Sequence, residues 1–276
     1  MKIKKEYERW LANAVADTDV AAELKAIDYV EVEDAFYRDL AFGTGGLRGV
    51  IGAGTNRMNI YTVAKASQGL ADYLKKHFKE PSVAIGYDSR IKSDVFAKVA
   101  AGVFTANGVS VNIWPVLMPV PTVSFATRYL HTSAGVMVTA SHNPGKYNGY
   151  KVYGADGCQI TTEAAAEILA EIEKLDIFAD VKTSDFEAGV ANGSIRYIPD
   201  EVYTAFVEQV KSQSVLFGEN VNKNVAIVYS PLNGTGLKPV TRTLQEMGYT
   251  NITVVKEQEQ PDAVSYTHLR AHETDS

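Results

Sequence analysis

The stretch AGVMVTASHNPGKYNGYKVY, residues 134–153, joins one short apolar run to another through a polar, glycine-containing loop. The first run, residues 134–140, is almost continuously apolar, which is typical of a strand buried on both faces. The loop then brings a hydroxyl, an imidazole and an amide together in Ser141, His142 and Asn143. Two interpretations fit this chemistry: a strand-ending turn capped by Ser and Asn, or a loop that holds a nucleophile.

Strands and helices alternate on both sides of this stretch. The predicted strands cover residues 82–89, 109–114, 134–140 and 149–153, and the predicted helices cover residues 60–77, 94–107, 121–130, 161–174 and 199–212. A second strand-helix-strand series begins near residue 224, so we expect a domain boundary between residues 192 and 224. Apolar strands that alternate with amphipathic helices indicate an α/β sandwich.

Several residues mark the expected helix ends. Asn59 and Ser93 stand directly before helical segments and are predicted N-caps, while Gly108 is predicted to end the second of these helices. The polar interval of residues 182–194 is predicted to be a loop.

The first forty residues are predicted to be helical. One helix is expected over residues 2–26 with a break at residues 17–19, and another over residues 32–40. No apolar segment follows the basic residues at the start, so a secretory signal is not expected.

Composition limits the function classes. The 276 residues carry a formal net charge of -6, which argues against nonspecific nucleic-acid binding as the main activity. No apolar run is long enough to cross a membrane, so no membrane partner is expected. Cys158 is the only cysteine, which excludes an internal disulfide and suits a cytoplasmic protein.

The segment FGTGGLRG, residues 42–49, allows two interpretations of its own. Its backbone N–H groups and Arg48 could hold an anion, since Arg is suited to bidentate phosphate contact. The spacing alone favours a tight hairpin in which glycine supplies positive φ. The nearby sequence DSR, residues 88–90, is typical of a solvated helix cap.

Ser141 does not match a hydrolase pattern. Adjacent side chains on an extended chain point in opposite directions, so a Ser141–His142 hydrogen bond is not expected. The nucleophile-elbow pattern G-x-S-x-G is also missing, because Thr139 and Asn143 occupy its glycine positions.

Four motifs nevertheless occur in a recognisable order: FGTGGLRG, GYDSR, TASHNP and NGYK. This combination resembles the α-D-phosphohexomutase superfamily, the phosphoglucomutases and phosphomannomutases. The YERWL lead and the segment AFGTGGLRGVIGAGTNRMN are most similar to the long bacterial phosphoglucomutase type. The resemblance covers about residues 1–262. It implies a three-layer α/β/α sandwich, domain I, over residues 1–205 and the start of a second, similar domain over residues 206–262.

The resemblance also implies residue roles. Ser141 would carry a phosphoryl group and hand it to a bound hexose phosphate through a hexose 1,6-bisphosphate, interconverting glucose 1-phosphate and glucose 6-phosphate. Lys151 would be the general acid/base, Arg48 would stabilise phosphate, and His142 would organise the loop or touch substrate. The implied substrate-binding residues are Thr44, Gly45, Arg90 and Asn143. The implied cofactors are Mg²⁺, bound through the phosphate on Ser141, and glucose 1,6-bisphosphate as activator.

The chain also departs from the family pattern. Family enzymes have four domains, and the D-G-D-G-D-R-type metal loop, the G-E-x-S-G-type sugar loop and the S-G-T-x-P-type phosphate loop are missing here. We therefore expect a chain truncated at about Asp262, with residues 263–276 non-native and His268 and His272 without a metal role. Such a chain is expected to be inactive alone. A phosphomannomutase parent and a non-catalytic phosphosugar-binding module remain alternatives, and neither sugar preference nor oligomeric state follows from the sequence.

Overall fold

The computed structural model describes residues 2–215 and 219–262. The predicted tail, residues 263–276, lies outside this part of the chain, as do His268 and His272. The strands are β1 Phe42–Gly43, β2 Gly46–Val50, β3 Ser82–Tyr87, β4 Ser110–Ile113, β5 Ala134–Val138, β6 Tyr147–Gly154, β7 Ile195–Tyr197, β8 Ile227–Tyr229 and β9 Ile252–Val254. The helices are α1 Lys2–Asn13, α2 Thr18–Ala26, α3 Tyr29–Phe36, α4 Ile60–His77, α5 Ser93–Ala106, α6 Val120–Tyr129, α7 Thr162–Glu173, α8 Phe186–Asn192, α9 Asp200–Ser212 and α10 Leu237–Glu246, with a 3-10 turn at Lys256–Gln258.

A seven-stranded sheet in the order β1-β2-β6-β5-β3-β4-β7 forms the centre of the first unit. Its strands β5, β3, β4 and β7 are parallel, whereas β6 runs antiparallel to both β5 and β2. All five residues of β5 are buried, as the continuous apolar run predicted.

Helices cover both faces of this sheet. On one face, α4, α5 and α7 pack Leu70, Phe96 and Ile168 against the sheet. On the other face, α6 and α9 contribute Val123 and Val207 to a second apolar cluster. The predicted three-layer α/β/α sandwich is therefore confirmed.

The N-terminal helices form a third apolar cluster beside the sandwich. Trp10 is fully buried and makes edge-on ring contacts with Phe36, Tyr61 and Phe178. A break is present but covers residues 14–17 rather than the predicted residues 17–19, since α1 ends at Asn13 and α2 begins at Thr18.

The predicted N-cap at Asn59 is confirmed, because its side chain accepts the backbone N–H groups of Tyr61 and Thr62. The N-cap predicted at Ser93 is wrong. Ser93 is the first residue of α5, and the preceding Lys92 has a φ of 60° and makes no side-chain cap. Gly108, with a φ of 76°, follows the end of α5 as predicted.

The loop predicted over residues 182–194 is also wrong, because it contains α8 and leads directly into β7. The polar and glycine-containing composition suggested a loop, but Gly189 packs tightly against the edge strand. A Cβ on Gly189 would lie 2.6 Å from Ile195 Cδ1. Phe186 and Val190 of the same helix pack against the main apolar cluster, a long-range contact that no local pattern reveals.

The second unit consists of β8, α10 and β9, with its two strands parallel. The predicted strand-helix-strand series is thus present. The division into residues 1–205 and 206–262 stays a prediction, since α9 runs continuously through it and packs Val207 against the first unit. Among the described residues, no helix is long and apolar enough to cross a membrane.

Candidate active site around Ser141

The loop of residues 139–146, here called the Ser141 loop, begins where β5 ends. Thr139 and Ala140 are buried, and the chain reaches the surface at Ser141, which is exposed and has a φ of 57°. A non-glycine residue in this left-handed conformation costs roughly 1–2 kcal/mol, so the surrounding contacts must hold it there. The buried strand thus presents one hydroxyl to solvent.

The contact between Ser141 and His142 differs from the expectation. The Ser141 Oγ and His142 Nδ1 atoms lie 3.4 Å apart, because the positive φ turns the two side chains toward the same side. The premise of an extended chain was therefore wrong. A separation of 3.4 Å is still longer than an ordinary hydroxyl hydrogen bond. In the described part of the chain, no third side chain orients His142, so a hydrolase-like triad is not formed.

Arg90 is the main support of the Ser141 loop. Its side chain has no exposed surface. Its Nη2 donates to the carbonyl oxygens of Ser141, at 2.7 Å, and of Asn143. Its Nη1 donates to the carbonyls of Pro144 and Tyr147, at 3.2 and 3.1 Å. All four contacts are to backbone, which does not fit the predicted contact of Arg90 with substrate.

Asp88 precedes Arg90 at the end of β3 and lies under the same loop. Its Oδ1 accepts the Arg90 backbone N–H at 3.0 Å and the Ser93 hydroxyl at 2.7 Å. Its Oδ2 accepts the Thr139 hydroxyl at 2.6 Å. The sequence DSR therefore forms a hydrogen-bonded junction around the buried Arg90 rather than the solvated cap that was predicted.

Asn148 connects the other end of the loop to the same junction. Its buried side chain donates to the Ile91 carbonyl at 2.9 Å and to the Ser93 hydroxyl at 3.0 Å. Sequence reasoning assigned no role in the site to Asp88, Thr139 or Asn148. Their positions in the sequence are the signal that could have identified them, because polar residues at the carboxyl ends of neighbouring strands meet at one edge of the sheet.

The FGTGGLRG segment forms the expected hairpin. Strands β1 and β2 pair antiparallel around Thr44 and Gly45, and Gly46 has a φ of 74°. The hairpin also places an arginine at the site, since Arg48 Nη1 donates to Asn143 Oδ1 at 3.3 Å. The two interpretations of this segment are compatible, because the hairpin geometry positions the cation.

Lys151 lies on β6, directly opposite Met137 of β5. Burial, followed by the positive charge of Arg48, lowers the pKa of Lys151 below its ordinary value, and Asp88 opposes this shift. The described residues offer no hydrogen bond or ion pair to its ammonium group. A lowered pKa is the property that proton transfer near neutral pH requires.

An open cleft of about 470 Å³ lies in front of Ser141. One wall belongs to the first unit and includes Ser141, His142 and the start of α6. The facing wall comes from the end of β8 and the loop after it, in the second unit. The lining residues of that second wall are Tyr229, Pro231, Gly234, Thr235 and Gly236. Thr44, Gly45 and Arg48 do not line this cleft.

Two family models match this chain. The model described as phosphoglucomutase/phosphomannomutase, alpha/beta/alpha domain I, matches residues 39–177, which is half of the chain. The chain belongs to the phosphoglucomutase/phosphomannomutase family. The model of alpha/beta/alpha domain II matches residues 203–271. The helical lead before residue 39 lies outside the domain I match.

Curated relatives agree with this membership. The chain is 37% identical over 223 residues to the phosphoglucomutase of Staphylococcus saprophyticus and 36% identical over 224 residues to that of Staphylococcus haemolyticus. Each alignment covers 81% of this chain and 40% of the relative. The chain therefore spans about two fifths of the length of these relatives.

Solved structures share the fold. A putative phosphomannomutase from Thermus thermophilus matches with a TM-score of 0.68 and 24% identity, over 83% of this chain and 48% of that one. A phosphoglucomutase/phosphomannomutase family protein from Burkholderia thailandensis matches with a TM-score of 0.60 and 20% identity, over 80% and 44%. At these identities the likeness concerns the fold alone.

Proposed function

We propose that this chain carries the phosphoryl-accepting serine of a phosphohexose mutase that interconverts glucose 1-phosphate and glucose 6-phosphate. The observation that carries the proposal is the presentation of Ser141. Its hydroxyl is exposed at a cleft, on a left-handed turn held by the buried Arg90, in a chain of the phosphoglucomutase/phosphomannomutase family. Phosphoryl transfer depends on such positioning, because a small displacement of the nucleophile slows the reaction strongly.

In the proposed step, the Ser141 Oγ–P bond forms as a sugar O–P bond of a hexose 1,6-bisphosphate breaks. The Ser141 proton ends on the released sugar oxygen, and Lys151 carries it. The lowered pKa of Lys151 supports this role, because it brings proton exchange by the amine closer to neutral pH. In the reverse step, phosphorylated Ser141 returns its phosphoryl group to the other hydroxyl of the sugar.

Hexose phosphates are the proposed partners, and the cytoplasm is the proposed compartment. Arg48, which is exposed and reaches Asn143, supplies positive charge for phosphate, and Thr44 and Gly45 stand at the tip of the same hairpin. We assign Arg90 to positioning the Ser141 loop instead, because its guanidinium is fully enclosed by the protein. His142 remains a candidate for a contact with substrate.

Membership of this family implies a metal cofactor, and we propose Mg²⁺. Within residues 2–215 and 219–262, no three His, Cys, Asp or Glu side chains lie close enough together to hold a metal ion. Asp88, the carboxylate beside the loop, already accepts three hydrogen bonds. The described side chains therefore do not fit a Mg²⁺ site by themselves, and no step here depends on one.

The proposal is tested by following the transfer to one serine. The purified chain is incubated with labelled glucose 1,6-bisphosphate and Mg²⁺, and the modified residue is mapped by mass spectrometry. We expect label on Ser141, no label in Ser141→Ala, and full label in Ser89→Ala, whose hydroxyl lines the same cleft. An unlabelled wild-type chain, or equal label in Ser141→Ala, would contradict the proposal.

A coupled assay separates the remaining alternatives. With glucose 1-phosphate and the bisphosphate, we expect little or no steady turnover from this chain, which spans two fifths of its relatives. Rates like those of a complete relative would contradict this expectation. Faster labelling from mannose 1,6-bisphosphate would favour the phosphomannomutase alternative. Tight hexose-phosphate binding without any labelling would favour the non-catalytic binding module.

A further inference from the structure

Two polar side chains connect the Ser141 backbone to β3. The backbone N–H of Ser141 donates to Thr139 Oγ1 at 2.9 Å, and the Thr139 hydroxyl donates to Asp88 Oδ2 at 2.6 Å. Thr139 is only 3% exposed, so water does not readily replace these contacts. The Ser141 amide is thus connected through one hydroxyl to the carboxylate of Asp88, the residue that directly follows the neighbouring strand β3.

The chemistry of the carboxylate sets the direction of this connection. An ionised Asp can only accept hydrogen bonds, so the Thr139 hydroxyl must direct its single hydrogen toward Asp88. The lone pairs of Thr139 Oγ1 are then available to the Ser141 N–H. Valine has the same shape but no hydroxyl, so it could neither donate to Asp88 nor accept from the Ser141 N–H.

The connection is itself held on both sides. Asp88 Oδ1 is occupied by the Arg90 N–H and the Ser93 hydroxyl, which fixes the rotation of the carboxylate. The Thr139 N–H donates to the Gly149 carbonyl of β6 at 3.0 Å, which fixes the backbone. Arg90 supports the carbonyl side of the loop, whereas Thr139 supports the amide of the strained residue itself.

We propose that Thr139, oriented by Asp88, is a positioning residue that holds Ser141 in its left-handed conformation and so aims Oγ into the cleft. The transfer readout of this inference rests on the proposed function. A second readout, the exchange of the Ser141 amide hydrogen, does not depend on it.

The experiment compares Thr139→Val, which keeps the branched shape, with Thr139→Ser, which keeps the hydroxyl. The matched control is Thr127→Val, because the Thr127 hydroxyl is equally buried but donates to Val123 within α6. Labelling of Ser141 by glucose 1,6-bisphosphate and hydrogen exchange of the Ser141 amide by NMR are measured on each full chain. Thermal unfolding confirms that each variant is folded.

We expect Thr139→Val to slow labelling by about tenfold or more and to speed amide exchange by a similar factor, as loss of one buried hydrogen bond implies. Thr139→Ser should restore both to within about threefold, and Thr127→Val should change neither. Asp88→Asn should have a smaller effect in the same direction, because the orientation of Thr139 is then no longer enforced.

The outcomes distinguish the two proposals. Unchanged exchange and labelling in folded Thr139→Val would overturn the positioning role. Failure of Thr139→Ser to restore them would assign the effect to packing and would also overturn it. If the wild-type chain takes no label, the proposed function fails for this chain, and the exchange measurement alone decides the inference. Wild-type behaviour of Asp88→Asn in both readouts would remove Asp88 from it.

Discussion

Replacing Arg90 by Met should release the Ser141 loop while leaving the sandwich folded. Met retains much of the apolar stem of Arg90 but none of its four hydrogen bonds, three of which go to carbonyls of the Ser141 loop and one to the carbonyl of Tyr147, where β6 begins. These carbonyls belong to the Ser141 loop and to the first residue of the strand that follows it, so the loss of the four hydrogen bonds should promote local opening rather than unfolding of the central sheet.

The free energy lost in Arg90→Met can be worked out from the hydrogen bonds that Arg90 makes. A hydrogen bond from a charged donor contributes about 1.5–3 kcal/mol, so four such bonds have a gross value of roughly 6–12 kcal/mol. Burial of the guanidinium costs several kcal/mol, and the freed carbonyls of this surface loop can reach water. We therefore expect a net loss of about 3 kcal/mol, which raises the open population of the loop about 100-fold.

Limited digestion with trypsin measures this opening, because Lys146 is an exposed cleavage site within the loop. When opening and closing are fast, the cleavage rate follows the open population. Cleavage after Lys146 should be about 100-fold faster in Arg90→Met than in the wild type. The matched control is Arg196→Met, because Arg196 is exposed and donates to a single carbonyl, that of Gly193.

Equal cleavage rates at Lys146 in the wild type and Arg90→Met, with both chains folded by circular dichroism, would refute this reasoning. Global unfolding of Arg90→Met would also contradict it, because the effect would then not be confined to the loop. A large acceleration in Arg196→Met would show that removal of any arginine, rather than this set of contacts, exposes the site.

Three further substitutions, one of them with a matched control, test other parts of the structure. Gly46→Ala should destabilise the chain by about 3 kcal/mol or more in urea unfolding. The new Cβ would lie 1.8 Å from the Tyr150 carbonyl oxygen, and the backbone at this position has a φ of 74°. The matched control, Gly45→Ala, has open space around its Cβ and should have almost no effect on stability. Lys151→Met should raise the free energy of unfolding at pH 7 by less than about 1 kcal/mol, because the lowered pKa of Lys151 means that its charged form is disfavoured in the folded state. The free energy of unfolding of the wild type should rise as the pH increases from the lowered pKa of Lys151 in the folded chain toward its ordinary value of 10.5. The stability difference between Lys151→Met and the wild type should therefore shrink over this pH range. A difference that stays constant with pH would contradict the lowered pKa of Lys151. Asn59→Ala should cost about 1–2 kcal/mol by thermal unfolding, because its side chain caps α4 while fully buried.

Local chemistry accounts for the predictions that were confirmed. The apolar run before Ser141 predicted β5, because only a strand covered on both faces tolerates uninterrupted apolar side chains. Asn59 predicted the start of α4, because an N-cap side chain bonds to backbone N–H groups only two or three residues further along the chain. The order of four short motifs predicted the family, which the domain I match confirms.

The errors share one physical cause, which is that distant contacts outweighed local preference. Ser93 has the chemistry of an N-cap, but its hydroxyl is used by Asp88 and Asn148 instead. Residues 182–194 have the composition of a loop, yet Phe186 and Val190 of α8 pack against the main apolar cluster.

The sequence by itself determined the alternation of elements, the hairpin around Gly46 and the identity of the exposed serine, because each depends on residues close together in the chain. Only the tertiary structure decided how that serine is supported. Arg90 lies 51 residues before Ser141, and Thr139 meets Asp88 across the same separation. Parallel strands β3 and β5 bring these groups together. The sequence DSR resembled a solvated helix cap, but its arginine, Arg90, is buried and supports the Ser141 loop.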